Sequence, residues 1–363
     1  MPPPALRVGL IGYGYAGQTF HAPWIAGVPG LQLAAVSSRD AARVQAEWPG
    51  VEVLPDAHAL ISRTDLDLVV IASPNDSHHP LARAALAAGR HVVVDKPFTL
   101  TLAEARELTA LADARGRLLS VFHNRRWDSD FLTLRALVQR GELGRIVHLE
   151  SAFDRYRPLV RERWRESAAP GAGLWFDLGP HLLDQALQLF GTPQAIALDQ
   201  AVLREGGRSD DWFQARLRYP GLRVVLRASM LAAAASPRFV VHGTQGSWLK
   251  QGLDPQEDAL KTGARPTWPA APSWGVDTQP SLLTRPNGDT LRTEPLPLQP
   301  GCHGAFYAGV RDALRGAGDN PVPPEQACAV MDWLERGRRS AREGREDTAE
   351  MAPHPDTRPL ASG

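Results

Sequence analysis

Three polar side chains carry the first chemical signal. Asp177 and His181 are four residues apart, so on a helix they share one face about a turn from each other. A histidine titrating near neutrality can take up and release a proton at working pH. The same spacing also suits a metal pair or a satisfied interior histidine, but no third or fourth ligand stands out and no metal is expected. Lys96 is the third. Only Lys96, Lys250 and Lys261 are lysines among 40 basic residues. A lysine can give up its proton where arginine cannot, so a lysine retained in an arginine-rich chain draws notice.

A glycine-rich turn is the second signal. Gly12-Tyr13-Gly14-Tyr15-Ala16-Gly17 has the spacing G-x-G-x-x-G between an apolar strand, Leu6–Ile11, and a helical stretch over 16–26. Gly12 permits a tight turn, Gly14 a close approach of backbone to a pyrophosphate, and Gly17 close packing of helix on strand. An ordinary glycine turn is the competing reading. NAD binders usually carry an acid at the end of the next strand, where a ribose 2′-hydroxyl would sit. This chain has Ser37-Ser38-Arg39 there. Two hydroxyls and a guanidinium suit a 2′-phosphate, so NADP is expected over NAD. Arg39 opening a solvated helix is the alternative, and Asp40 beside it weakens the phosphate reading.

The elements that must position these residues follow from periodicity. Apolar runs at 6–11, 31–37, 66–72, 91–95 and 118–122 alternate with helical stretches, as a parallel α/β sheet requires. The run 66–72 is unbroken, which suits a strand buried on both faces. Thr101 and Glu104 have capping-box spacing ahead of a helix that Gly116 ends. After Asn124 one helix, 129–140, leads into strands at 146–154, 195–204, 213–219, 222–229 and 239–242, joined by short turns. That rhythm predicts an α+β domain with an antiparallel sheet. The stretch 263–301, rich in Pro, Gly and Trp, reads as an irregular arm. Helices follow over 303–315 and 324–342. Domains are expected at 1–124 and 125–345, with a frayed tail over 346–363.

Composition bounds the function class. With 363 residues, 43% hydrophobic and 22% charged, the chain can form two ordinary cores. Forty basic residues balance forty acidic ones, which argues against a nucleic-acid or anionic-membrane surface. Two cysteines, Cys302 and Cys328, are too few for a disulfide framework. The N-terminus lacks a signal-peptide pattern and no apolar run nears the ~20 residues of a membrane helix. A reducing cytoplasm is expected.

Longer motifs point to a family. Ser73-Pro74-Asn75-Asp76-Ser77-His78, Val94-Asp95-Lys96-Pro97 and the stretch 171–184 around Asp177 and His181 resemble the GFO/IDH/MocA oxidoreductases. The stretches 122–133, 154–158 and 252–257 are similar to a subgroup that contains NADP-dependent scyllo-inositol 2-dehydrogenases. The resemblance spans nearly the whole chain. It implies an α/β Rossmann domain followed by an α+β domain with a large, mostly antiparallel open sheet. That sheet's face would form a homodimer or homotetramer. The active site would lie between the domains. Lys96 would polarise a carbonyl, although Asp95 replaces the family's Glu. His181 would be general acid/base with Asp177 as its partner. Ser73, Pro74, Asn75, His78, Asp95 and Asn124 would line the nicotinamide half. Asn124, Arg163 and Trp164 would join Lys96, Asp177 and His181 around the substrate. A solvated basic run over Arg155–Arg165 is the competing reading of that last group. Asp184 would have a supporting role.

The expected activity is hydride transfer between NADP(H) and a cyclic polyol or sugar ketone, with scyllo-inositol and scyllo-inosose as the first pair. Three alternatives stay open: a non-catalytic NADPH-binding regulator, an aldose or ketose oxidoreductase of the same family, and an enzyme that keeps its cofactor while shuttling hydride between two sugars.

Overall fold

The structure is a computed structural model and describes residues 3–349. Its first half alternates β1 (Leu6–Ile11), α1 (Ala22–Gly27), β2 (Leu31–Ser37), α2 (Ala41–Glu47), β3 (Glu52–Leu54), α3 (Ala57–Ile61), β4 (Leu68–Ile71), α4 (His78–Ala87), β5 (His91–Val94), α5 (Leu102–Arg115) and β6 (Leu119–Val121). The six strands form a parallel sheet in the order β3-β2-β1-β4-β5-β6. Strand order reverses between β1 and β4, and such a reversal leaves a crevice beyond the strands' carboxyl ends. β4 is buried at all of its positions, as its unbroken apolar run requires.

The helix after the glycine loop begins with a π turn, Gly17–His21, before α1. Pro23 lies just beyond it and has no N–H to continue the regular ladder, so the wider turn falls where that ladder is interrupted. The capping box forms as its spacing predicts: Glu104 N donates to Thr101 Oγ1 at 3.2 Å, and Glu104 accepts from Thr101 N at 3.1 Å. Gly116 closes α5 at φ 58°.

The second half contains α6 (Ser129–Gln139), β7 (Ile146–Ala152), α7 (Leu174–Phe190), β8 (Ala195–Ala201), β9 (Trp212–Tyr219), β10 (Leu222–Ser229), β11 (Pro237–Gly243), β12 (Ser247–Gln251), α8 (Gln256–Lys261), β13 (Ser281–Asn287), β14 (Thr290–Pro295), α9 (Gly304–Leu314), α10 (Pro324–Glu343) and β15 (Asp347–Thr348). Its nine-stranded sheet runs β14-β13-β12-β11-β7-β10-β9-β8-β15. All neighbours are antiparallel except β7 and β10. Burial alternates along β9 and β10, so one face is core and the other is open. Helices α7 and α10 cover the core face, with Trp175 edge-on to Phe213 at 5.0 Å between centroids.

Four expectations change. The stretch 263–301 is not wholly irregular, because β13 and β14 form a hairpin turning at Gly288, φ 61°. β12 and the β3 region also go beyond the predicted strands. The final helices do not belong to one domain alone: α9 packs on α1, while α10 packs on α5 as well as on α7. In the tail, Asp347 and Thr348 pair with β8, and Arg336 reaches Asp347 at 3.0 Å. The rest of that segment, from 350 on, lies outside the described residues. No helix among the described residues is long and apolar enough to cross a membrane.

Candidate active site

The glycine loop forms the floor of a groove of about 590 Å³ at the end of the parallel sheet. Gly12 has φ 93°, and a Cβ there would lie 2.7 Å from the Ala72 carbonyl oxygen. A Cβ on Gly17 would lie 2.0 Å from the Gly12 carbonyl oxygen, so this glycine lets helix and loop touch. Gly14 faces open space, with no atom within 4 Å of a Cβ position. The loop is therefore tight behind and bare in front, which fits a diphosphate resting on backbone N–H groups. Tyr13, Tyr15 and Ala16 line the groove with it. The Tyr13 hydroxyl turns away, donating to Glu47 at 3.0 Å and accepting from Trp48 Nε1 at 2.7 Å.

Ser37, Ser38 and Arg39 line the far end of this groove. Arg39 is exposed. Asp40 is engaged as the N-cap of α2, accepting from Arg43 N at 3.0 Å. Its carboxylate is held at the helix start and still borders the groove beside Arg39.

Strand β5 delivers Asp95 and Lys96, and the first turns of α7 deliver Asp177 and His181. The entry to α7 is fixed by Asp210, which accepts from Trp175 N at 2.6 Å, and by Gly173 at φ 95°, where a Cβ would strike Asp210. Lys96 Nζ donates to the Asp177 carbonyl oxygen at 2.7 Å and to its Oδ1 at 3.2 Å. Burial pushes the Asp177 carboxyl up, but Lys96, Arg155 and Arg165 outweigh burial and hold it well below the usual carboxylate range. Arg155 and Arg165 stand 3.9 and 3.6 Å from its oxygens. Burial pushes the His181 imidazole well down, and Lys96 and Arg125 add to it, so His181 is neutral at pH 7. Its Nδ1 is buried with no hydrogen-bond partner among the described residues. Asp95 is likewise penalised by burial, yet His21 and Lys96 bring it down to about 2.

These side chains converge on a second cleft of about 460 Å³, which also takes in Asn124 and Arg163. Tyr15, Ala16, Asp95 and Arg165 border both cleft and groove, so the two spaces share a wall. Phe20, Phe122 and Leu178 supply apolar surface. Arg125, Arg155, Arg157, Arg161, Glu257 and Lys261 also line it and were not singled out as site residues from the sequence. Helix α8 brings Glu257 onto Arg125 and onto the Tyr15 hydroxyl, which donates at 2.5 Å. Arg125 and Glu257 fall in the motif stretches 122–133 and 252–257, but nothing in the sequence showed that the two meet. Asp184, expected in support, pairs with buried Arg126 at 2.6 and 2.9 Å and ties α7 to the domain crossing.

Some expected site residues lie elsewhere. His78 is buried behind the groove, with ring nitrogens 2.8 and 3.0 Å from the Pro97 and Ser73 carbonyl oxygens; it braces the loops on which Lys96 sits. Asn75 donates to the Gly171 carbonyl at 3.1 Å and so joins the β4 loop to the segment before α7. Ser73 and Pro74 do line the groove. Trp164 lines the dinucleotide groove and not the substrate cleft, with the Arg165 guanidinium stacked on it at 4.5 Å. Lysine rarity also misleads in part. Lys250 is a buried structural cation paired with Asp277 at 2.8 Å. A further group of possible ligands, Asp128, Asp254 and His303, is buried apart from the cleft lining; Ser129 N and Gln256 N donate to Asp254 at 2.7 and 2.9 Å.

Known proteins share this fold and much of this sequence. Residues 6–123 match the oxidoreductase family with an NAD-binding Rossmann fold, and residues 131–249 match the GFO/IDH/MocA C-terminal domain. The uncharacterized oxidoreductase YdgJ of Escherichia coli is 56% identical over 93% of this chain and 96% of its own. The NADP(+) scyllo-inositol 2-dehydrogenase IolW of Bacillus subtilis is 34% identical over 94% of this chain and 95% of its own. A solved structure from Yersinia pestis superposes with a TM-score of 0.92 at 52% identity, covering 96% of this chain and 98% of that one. A Rossmann groove joined to a cleft holding Lys96, Asp177 and His181, with matches across both halves, places the chain in the GFO/IDH/MocA family of oxidoreductases.

Proposed function

We propose that the protein moves hydride reversibly between NADP(H) and a ring carbinol of a cyclic polyol or sugar, with scyllo-inositol and scyllo-inosose as the first pair to test. The observation that carries this is the convergence of Lys96, Asp177 and His181 on one cleft that shares a wall with the glycine-loop groove. NADP is favoured by Ser37, Ser38 and Arg39 at the ribose end. IolW, named as NADP-dependent, points the same way.

The bound nicotinamide supplies the hydride acceptor or donor. Lys96 presents its ammonium toward the reacting oxygen, and Asp177 fixes that ammonium's direction through its carbonyl and carboxylate. His181, its imidazole held low by burial, takes the alcohol proton during oxidation and returns it during reduction. Asn124 and Asp177 are placed to hold ring hydroxyls. The apolar side chains Phe20, Phe122 and Leu178 face the carbon skeleton and exclude water. Steady-state assays with NADPH and NADP against inositols, aldoses and ketoses test the reading; no nicotinamide absorbance change with any of them sinks it.

For assembly we propose a homodimer or homotetramer through the open face of the nine-stranded sheet. Strand register aligns Val225, Glu150, Val240, Leu249 and Leu282 in one row across that face, and Leu282 is exposed. Such a row supports burial against a second copy. Light scattering of Val240→Arg tests this: a monomer is expected, and an unchanged mass rejects the interface.

A further inference from the structure

The substrate cleft is far more basic than a neutral polyol requires. Eight cationic side chains line it, Lys96, Arg125, Arg155, Arg157, Arg161, Arg163, Arg165 and Lys261, against three carboxylates, Asp95, Asp177 and Glu257. Local pairing accounts for only part of this. Glu257 engages Arg125 and Lys261. Glu166 takes Arg163 at 2.6 Å, and Asp177 draws Lys96 with Arg155 and Arg165. Arg157 and Arg161 have no carboxylate within ion-pair distance among the described residues. Burial, then the charges of Arg155, Arg163 and Arg161, push Arg157 below the usual guanidinium range, and the more distant Asp177 offsets them only in part.

The dinucleotide does not account for the surplus. Its phosphates belong over the glycine loop, in the groove that Trp164 and Arg165 border but that Arg155, Arg157 and Arg161 do not. We infer that the substrate carries an oxyanion, a phosphate or a carboxylate on a sugar or cyclitol ring, which docks between Arg157 and Arg161 while a ring carbinol meets Lys96 and His181. Planar guanidiniums suit either group, because each matches two oxygens with two parallel N–H donors. This inference rests on the oxidoreductase reading of the same cleft and narrows its substrate class.

The test compares matched compounds with the NADP(H)-loaded enzyme: glucose, glucose 6-phosphate and glucuronate, then inositol and an inositol monophosphate. The expected result is a kcat/KM at least tenfold higher for an anionic member than for its neutral parent, lying mainly in KM. That preference is expected to fall tenfold or more in Arg157→Ala and Arg161→Ala, to recover in part in Arg157→Lys, and to shrink with rising salt. The phosphate and carboxylate arms tell the two sources apart. If nothing turns over, calorimetric binding to the NADP-loaded protein decides. Arg157-dependent binding of the anionic compounds sustains this inference while the catalytic reading fails. Neutral parents bound or turned over as well as the anionic forms, or arginine variants with unaltered preference, overturn it.

Discussion

The Tyr15 hydroxyl donates to Glu257 Oε1 at 2.5 Å across 242 positions of sequence, joining the glycine loop to helix α8. Burial and the Glu257 charge push this phenol well up, so it stays protonated and remains a donor. The bond draws a second-domain element over the shared wall of groove and cleft. Tyr15→Phe keeps the ring, which packs edge-on to Phe20 at 5.7 Å, and removes only the bond. Loss of a hydrogen bond to a charged group costs about 1.5–3 kcal/mol at most, and Arg125 and Lys261 still hold Glu257. KM for cofactor or substrate is expected to rise roughly 3- to 10-fold with kcat nearly kept. An unchanged KM shows that the contact does not shape the site.

The proposed preference for NADP rests on the far end of the groove. Arg39 is exposed and lines the groove beside Ser37 and Ser38. Arg39→Ala is expected to lower kcat/KM with NADP about tenfold while leaving NAD within about twofold, because only the 2′-phosphate needs the guanidinium. Equal losses with both dinucleotides would show that Arg39 acts on the fold.

His181 has a pH signature. Its imidazole lies well below the ordinary histidine range, by burial first and then the charges of Lys96 and Arg125. The base form therefore persists as pH falls through about 6.5. The profile of kcat/KM for alcohol oxidation is expected to have no acidic limb centred near that value, its fall coming at clearly lower pH. A limb at the ordinary histidine value, lost in His181→Gln, would contradict the depressed imidazole.

The buried acids between α6 and α8 set a stability signature. Burial, with the Asp128 charge adding, pushes Asp254 up to about 7, and burial likewise raises Asp128. Each folded value exceeds the unfolded one of about 4, so the stabilising contribution is complete below about pH 4 and is lost as pH rises through about 7. Asp95 acts oppositely: its contribution holds above about pH 4 and is lost as pH falls through about 2. Buried His123, His181 and His303, held below the ordinary histidine range, act with the opposite sign over pH 5 to 7.5, so the acids are read from the variant: the slope of Tm against pH over this interval should turn more positive in Asp128→Asn than in the wild type. Identical slopes rule out the raised acids.

Much of the fold was legible because local pattern and tertiary burial agree. Leu6–Ile11, Leu31–Ser37 and Leu222–Ser229 match their apolar runs, and Thr101 with Glu104 marks the start of α5. The β13–β14 hairpin was not read, although Asn287-Gly288 is a turn signal. Its strands carry Pro286, Arg285 and Arg292 at the sheet edge and bury few side chains, so they show little alternation. In the site, Lys96, Asp177 and His181 were legible because short motifs carry them. Arg125, Glu257 and Lys261 were not, because packing of a six-residue helix brings them together. His78 and Trp164 were placed by motif at the nicotinamide and the substrate; burial between two carbonyls and stacking under Arg165 set where they lie.

The central claim is hydride transfer at the Lys96–Asp177–His181 cleft. The most direct measurement is single-turnover oxidation of bound NADPH by scyllo-inosose and a panel of sugar ketones, in the wild type, Lys96→Met and His181→Gln. The predicted result is turnover by the wild type with at least one ketone. The rate should fall about 10²- to 10⁴-fold in each variant while NADPH still binds. Variants that turn over at the wild-type rate, or a wild type that binds NADPH and oxidises it with no ketone, would contradict the account.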